Sequence, residues 1–211
     1  MLTAIIDYES GNLHSAQKAF EHMASELDAG QVVVTSDPDV VAGADRIVLP
    51  GDGAFPACRT ALESSAVYQA LIEAVETKAR PFMGICVGMQ LMAKQGHEYE
   101  TTRGLGWVDG EVSKITPNDP ALKVPHMGWN DLIIDAAHPV LDGVKNGDHV
   151  YFVHSYHMRM ATAAHRLAHV DYASDITAIV GRDTMIGLQF HPEKSATLGL
   201  KMIGNFLTWR P

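Results

Sequence analysis

Pro81-Phe82-Met83-Gly84-Ile85-Cys86-Val87-Gly88-Met89-Gln90 is the stretch on which the reading of this chain turns. Residues 82–85 are apolar or small without interruption, as in a strand buried on both faces. Residues 87–94 then read as a helix. The cysteine stands at the junction with a glycine two residues to either side, which is the spacing of a nucleophile elbow. Such a turn is tight and strained, so its flanking side chains must be small. It holds the side chain at the strand's carboxyl end and the helix's amino end, where amides and dipole favour a thiolate. A small buried core residue is the competing reading, because free cysteines are often interior. The glycine spacing and the strand–helix context favour catalysis. Cys58 has no such setting and reads as an inert helix or loop thiol.

Strand and helix patterns alternate on the N-terminal side of the elbow. Residues 2–8 form an apolar run; Leu13, Ala16, Phe20 and Met23 mark one helical face; residues 31–35 are β-branched. Arg46-Ile47-Val48-Leu49 is a strand stopped by Pro50-Gly51, and Tyr68, Leu71, Ile72, Val75 and Ala79 give a helical stripe. Repeated strand–helix units imply a parallel sheet covered by helices on both faces. Beyond Gly104 the pattern changes: residues 107–115, 129–134, 149–157, 166–173, 176–180 and 185–191 all read as strands, several separated by short polar turns. Ser195 then reads as the cap of a last helix carrying Leu198, Met202, Ile203, Phe206 and Leu207. The expectation is one α/β domain over residues 1–211, with a mixed, mostly parallel central sheet and an added antiparallel β segment.

A nucleophilic cysteine needs a base, and one of the 11 histidines has the right neighbourhood. In Leu188-Gln189-Phe190-His191-Pro192-Glu193 a histidine ends an apolar strand, and a glutamate follows two residues later. Pro192 fixes the backbone between them. Glu193 can then accept from one ring nitrogen while the other faces the thiol, the logic of nucleophile, base and orienter. Oxyanion donors are sought in the Val87 amide and in the glycine amides of Pro50-Gly51-Asp52-Gly53-Ala54-Phe55, for which an ordinary Pro-Gly turn is the alternative. His149, His154 and His157 raise a metal question. Their spacing on one strand does not converge them, and no Cys or carboxylate nearby completes a ligand set, so neither metal nor cofactor is expected.

The formal net charge is −9, and no dense basic block appears, so nucleic acid and anionic membranes are poor partners. Two cysteines do not make a disulfide framework, and a reducing cytoplasm is the expected setting. The N-terminus lacks the pattern of a secretion signal, and no run approaches the ~20 apolar residues of a membrane-spanning helix. A phosphate-cradling Gly-Lys loop is also missing from the sequence.

The elbow at 84–90 together with Phe190-His191-Pro192-Glu193 resembles the class I (triad) glutamine amidotransferases, whose fold is flavodoxin-like. Further motifs narrow the resemblance to the glutaminase subunits of imidazole glycerol phosphate synthases. They are Asp7-Tyr8-Glu9-Ser10-Gly11-Asn12-Leu13-His14-Ser15, Leu49-Pro50-Gly51-Asp52-Gly53-Ala54-Phe55, Pro125-His126-Met127-Gly128-Trp129-Asn130, Tyr151-Phe152-Val153-His154-Ser155-Tyr156 and His191-Pro192-Glu193-Lys194-Ser195. The resemblance implies hydrolysis of L-glutamine to glutamate and ammonia by a Cys86, His191 and Glu193 triad. It implies Gln90, Glu98 and the backbone of Ser155 and Tyr156 as substrate contacts, and Gly51, Asp52 and Gly53 as the oxyanion strand. It further implies a cyclase partner with a (β/α)8 barrel, met by Trp129, Asn130, Tyr151 and Lys194, which uses the ammonia in histidine biosynthesis. One departure stands out: the family has a small apolar residue where this chain has Asp52, and a carboxylate there opposes an oxyanion unless it turns away. A glutaminase serving another synthase, a stand-alone thiol hydrolase and a non-catalytic relative of the fold are the alternative readings.

Overall fold

The computed structural model describes residues 1–9 and 13–211. In chain order its elements are β1 (Leu2–Ile6), α1 (His14–Glu26), β2 (Gln31–Thr35), α2 (Pro38–Gly43), β3 (Arg46–Leu49), α3 (Phe55–Ser64), α4 (Tyr68–Ile72), β4 (Phe82–Ile85), α5 (Val87–Gln90), β5 (Ala93–Glu98), β6 (Glu100–Arg103), β7 (Val108–Lys114), β8 (His126–Asp131), β9 (Ile133–Ile134), β10 (His149–His154), β11 (Tyr156–Met160), β12 (Arg166–Asp171), β13 (Asp175–Arg182), β14 (Met185–Leu188) and α6 (Ala196–Thr208). The main sheet has the order β2-β1-β3-β4-β14-β13-β12-β9. Pairing is parallel from β2 to β14 and antiparallel from β14 to β9. A second sheet runs β11-β7-β5-β6, and β10 pairs with β8 as a two-stranded ribbon. The mixed sheet with an added β segment is the architecture expected from the sequence.

Successive residues of a strand face opposite sides of the sheet. Ile47, Val48 and Leu49 are each fully buried, as are Phe82 and Met83, so both faces of the central strands are covered. The covering helices fall into two groups: α1 packs with α6, and α4 packs with α2 and α3. Register places the ends of three central strands level with one another, since Leu49 and Gly187 both pair with Gly84 and Leu188 pairs with Ile85. The segments that leave β3, β4 and β14 therefore emerge side by side at one carboxyl edge, where open α/β sheets place their ligands. No helix among the described residues is long and apolar enough to cross a membrane.

Three elements differ from the sequence reading. The helix expected over 87–94 is a single turn, Val87–Gln90. Beyond it the Leu91, Met92 and Ala93 carbonyls accept from the Leu105, Val108 and Gly106 amides, so the chain joins a sheet. Leu91, Met92 and Ala93 are all fully buried, which leaves no polar face for an amphipathic helix. The single strand expected over 149–157 is two strands, broken at Ser155, with β10 paired to β8 and β11 paired to β7. Ser195 occupies the cap position of α6, but its hydroxyl makes no cap bond. It donates to the His191 carbonyl at 2.7 Å and accepts from the Tyr151 amide at 3.0 Å, tying two site segments together instead.

Candidate active site

Cys86 leaves β4 with φ +54° and ψ −112°, a conformation that holds the side chain at the turn and away from the sheet. Its amide still pairs with the Leu188 carbonyl at 2.8 Å, so the strained residue is anchored to β14. The glycines are required sterically. A Cβ on Gly84 would stand 2.6 Å from the Gly88 carbonyl oxygen, and one on Gly88 would collide with the Leu49 carbonyl oxygen. These contacts make the elbow depend on β3 and on α5 at once.

His191 follows β14 and lies against the thiol. Its Nδ1 is 2.8 Å from Glu193 Oε1, so Nδ1–H donates to the carboxylate and the opposite nitrogen is left for Cys86. Both side chains are buried, with 6% and 7% exposure. Burial by itself lowers the His191 pKa; hydrogen bonds to Cys86 and Glu193 and the charges of both outweigh it and push the pKa up to about 10. A protonated His191 between Cys86 and Glu193 can donate a proton to a leaving amine at neutral pH.

Cys86 and His191 open into a cavity of about 360 Å³ whose lining includes Asp52, Gly53, Val87, Gln90, Glu98, Ser155, Tyr156 and Lys194. Gln90 Nε2 donates to the Tyr156 carbonyl at 3.0 Å and to Gln189 Oε1 at 3.1 Å. Glu98 comes from β5, and its Oε2 accepts the Phe55 amide at 2.7 Å, satisfying the start of α3. The Ser155 carbonyl accepts from Ile115 at 2.9 Å. A larger groove of about 880 Å³ lies elsewhere, between Ile134 and Arg210, and contains neither cysteine.

The oxyanion region has one donor engaged. The Val87 amide donates to the Gly51 carbonyl at 3.3 Å. Asp52 is exposed. Its carbonyl is held by the Cys58 thiol at 3.5 Å, and burial pushes that thiol up to about 11, in keeping with the inert role read for it. Trp129 and Tyr151 are cross-strand partners on the β8–β10 ribbon, with ring centroids 5.9 Å apart. Trp129 and Met127 are 53% and 61% exposed. Asn130 differs from them, because its amide is committed internally, to His126, Asp171 and Asp131. Ser10, Gly11 and Asn12, part of the first motif, lie outside the described residues.

Sequence reasoning passed over Gln189. It is fully buried, and its Nε2 lies 3.8 Å from Cys86 Sγ, within reach of a sulfur acceptor. A lone amide in the run Ile186-Gly187-Leu188-Gln189-Phe190 was the available signal, since an amide buried in a strand needs partners.

With that geometry established, the sequence model of the family "Glutamine amidotransferase class-I" matches residues 4–209. The chain belongs to the class I glutamine amidotransferases. As a member of that family it is 71% identical over its whole length to "Imidazole glycerol phosphate synthase subunit HisH" of Ruegeria pomeroyi, and the match covers 100% of each chain. It is 65% identical, again over 100% of both, to the protein of that name from Cereibacter sphaeroides. A crystal structure of a glutamine amidotransferase superposes with a TM-score of 0.72 at 16% identity, covering 97% of this chain and 96% of that one, which is a likeness of fold.

Proposed function

We propose that this amidotransferase is the glutaminase subunit of an imidazole glycerol phosphate synthase, working in the cytoplasm as one domain over residues 1–211. The observation that carries the chemistry is the juxtaposition of the Cys86 elbow with the His191–Glu193 pair at 2.8 Å on adjoining parallel strands. The Cys86 thiolate attacks the side-chain amide carbon of glutamine. His191 gives its proton to the departing nitrogen, ammonia leaves, and a thioester remains. His191 then takes a proton from water, which attacks the thioester and releases glutamate and the thiolate. Gln90, Glu98 and the Ser155–Tyr156 backbone hold the amino acid against the thiol.

Ammonia freed into neutral water would be protonated and lose its nucleophilicity. The product therefore passes to a cyclase subunit, a (β/α)8 barrel, which forms imidazole glycerol phosphate and aminoimidazole carboxamide ribotide. The exposed Trp129 with Tyr151, and Lys194 at the cavity mouth, are the contacts offered to it. In the isolated chain the Gly51 carbonyl occupies the Val87 amide. The partner turns this peptide so that amides face the oxyanion. One backbone donor is worth about 3 kcal/mol, or roughly a hundredfold in rate. Glutamate release should therefore rise about a hundredfold or more when the ligand-loaded cyclase is added. A high rate in the chain alone, unchanged by the partner, would contradict the switch.

A further inference from the structure

His126 and His154 lie 28 residues apart in sequence and meet in the interior, with His126 Nδ1 3.0 Å from His154 Nε2. They are 2% and 6% exposed. The bonds at either end decide which nitrogens carry hydrogen. His154 Nδ1 is 2.8 Å from the Tyr156 carbonyl, which can only accept, so this nitrogen is protonated. Burial keeps both rings neutral, with His154 at about 3 and His126 at about 4. His154 Nε2 is then a bare acceptor, and His126 Nδ1 must carry the hydrogen between them. His126 Nε2 is bare in turn and takes the Asn130 amide at 3.3 Å. Asn130 is fixed in that orientation, because its Nδ2 also donates to the Asp171 carbonyl at 3.0 Å and its Oδ1 accepts from the Asp131 amide at 2.8 Å. The His126 ring is clamped between Phe152 and Tyr172, with centroids at 4.7 and 4.1 Å.

Every hydrogen in this chain points the same way, from Asn130 toward Tyr156. The Tyr156 carbonyl where it ends also accepts Gln90 Nε2 at 3.0 Å. That carbonyl directs the Gln90 amide, and Gln90 in turn donates to Gln189, whose Nε2 lies 3.8 Å from Cys86 Sγ. It also sits next to Ser155, where β10 ends and β11 begins in another sheet. At that break the Ser155 carbonyl is held by the Ile115 amide at 2.9 Å, and the Tyr156 carbonyl by the side chains of His154 and Gln90.

We propose that His126 and His154 are positioning residues for the glutamine site, a one-directional pair of Nδ1–H imidazoles that fixes the Tyr156 carbonyl and through it Gln90. This rests on the glutaminase reading above. His154 lines the cavity beside Cys86 and His191, but its hydrogen bonds run to Tyr156 and His126, so loss of the pair should loosen the substrate wall and leave the His191–Glu193 bond in place.

The test uses the complex with the ligand-loaded cyclase. His154→Phe keeps the ring volume and removes both nitrogens, while His154→Asn keeps an amide donor near the place of Nδ1. Losing one buried hydrogen bond corresponds to about a tenfold effect. The KM for glutamine should rise by about that factor in the Phe variant with kcat nearly unchanged, and should return toward wild type in the Asn variant. An unchanged KM, a failure of Asn to restore it, or a fall in kcat at constant KM overturns the proposal. Should the Phe variant fail to fold, nitrogen NMR of labelled wild-type histidines at neutral pH still decides. Both rings are expected as Nδ1–H tautomers, and an Nε2–H form at either ring overturns the assignment. A wild-type complex that releases no glutamate would refute the glutaminase reading instead.

Discussion

Glu193 acts on His191 across 2.8 Å, and the consequence is a pH profile. The carboxylate stabilises the imidazolium, so its removal lowers the His191 pKa from about 10, and less imidazolium remains at any alkaline pH. Glu193→Gln should therefore move the alkaline limb of kcat/KM to lower pH, read from glutaminase rates between pH 7 and 10; a limb that stays in place would refute the role. The same raised pKa makes the His191 contacts stabilising in full below the unfolded value of about 6.5, and that contribution fades as pH rises through about 10. At this scale the sequence was legible where chemistry is local. Cys86 declares itself by two glycines, and His191 by a glutamate two residues on. Gln189 and the His126–His154 pair escaped because their partners are 103, 99 and 28 residues away. No periodicity encodes such meetings.

The elbow, the strand ends and the α6 entrance are elements whose precision rests on backbone packing. Gly88→Ala would drive a methyl into the Leu49 carbonyl oxygen, which neither β3 nor α5 can vacate without losing the site. The expected cost is about 3 kcal/mol, visible as a lowered denaturation midpoint together with lost turnover. An alanine variant as stable as the wild type would show the contact to be slack. Ser195→Ala removes the hydroxyl that joins the His191 carbonyl to the Tyr151 amide. Leaving these buried groups without a partner should cost about 1–3 kcal/mol and lower kcat, measured by chemical denaturation and by steady-state rates. Unchanged values would show that the Ser195 hydroxyl does not tie these segments together. The helix expected over 87–94 failed for a physical reason, since Leu91, Met92 and Ala93 are interior on every side and their carbonyls are claimed by residues 105–108. Apolar runs buried on all faces look alike in helix and strand. The strands at β1 and β4 were readable as apolar runs, β2 as a β-branched run and β3 by its Pro50-Gly51 stop.

Among the described residues four histidines are buried, and three of them, His126, His154 and His157, are held neutral by burial, at about 4, 3 and 4. Their stabilising effect is complete above the unfolded pKa of about 6.5. It is lost as pH falls toward those values, because only the unfolded chain takes up the protons. The denaturation midpoint should drop between pH 7 and pH 4.5 by the equivalent of a few kcal/mol, and an unchanged midpoint would mean that these rings protonate in place. At the same scale, the exposed Trp129 and Met127 lie on the ribbon whose Tyr151 carbonyl accepts the His191 amide at 3.1 Å, so in the proposed function the docking face would adjoin the triad. The proposed function is a division of labour, with this chain making ammonia at Cys86 and its partner consuming it. Its most direct test is the Cys86→Ala variant assembled with the cyclase subunit and supplied with either glutamine or ammonium at high pH. Formation of imidazole glycerol phosphate from glutamine should be abolished while formation from ammonia continues at the wild-type rate. Persistent glutamine-driven product in that variant would contradict it.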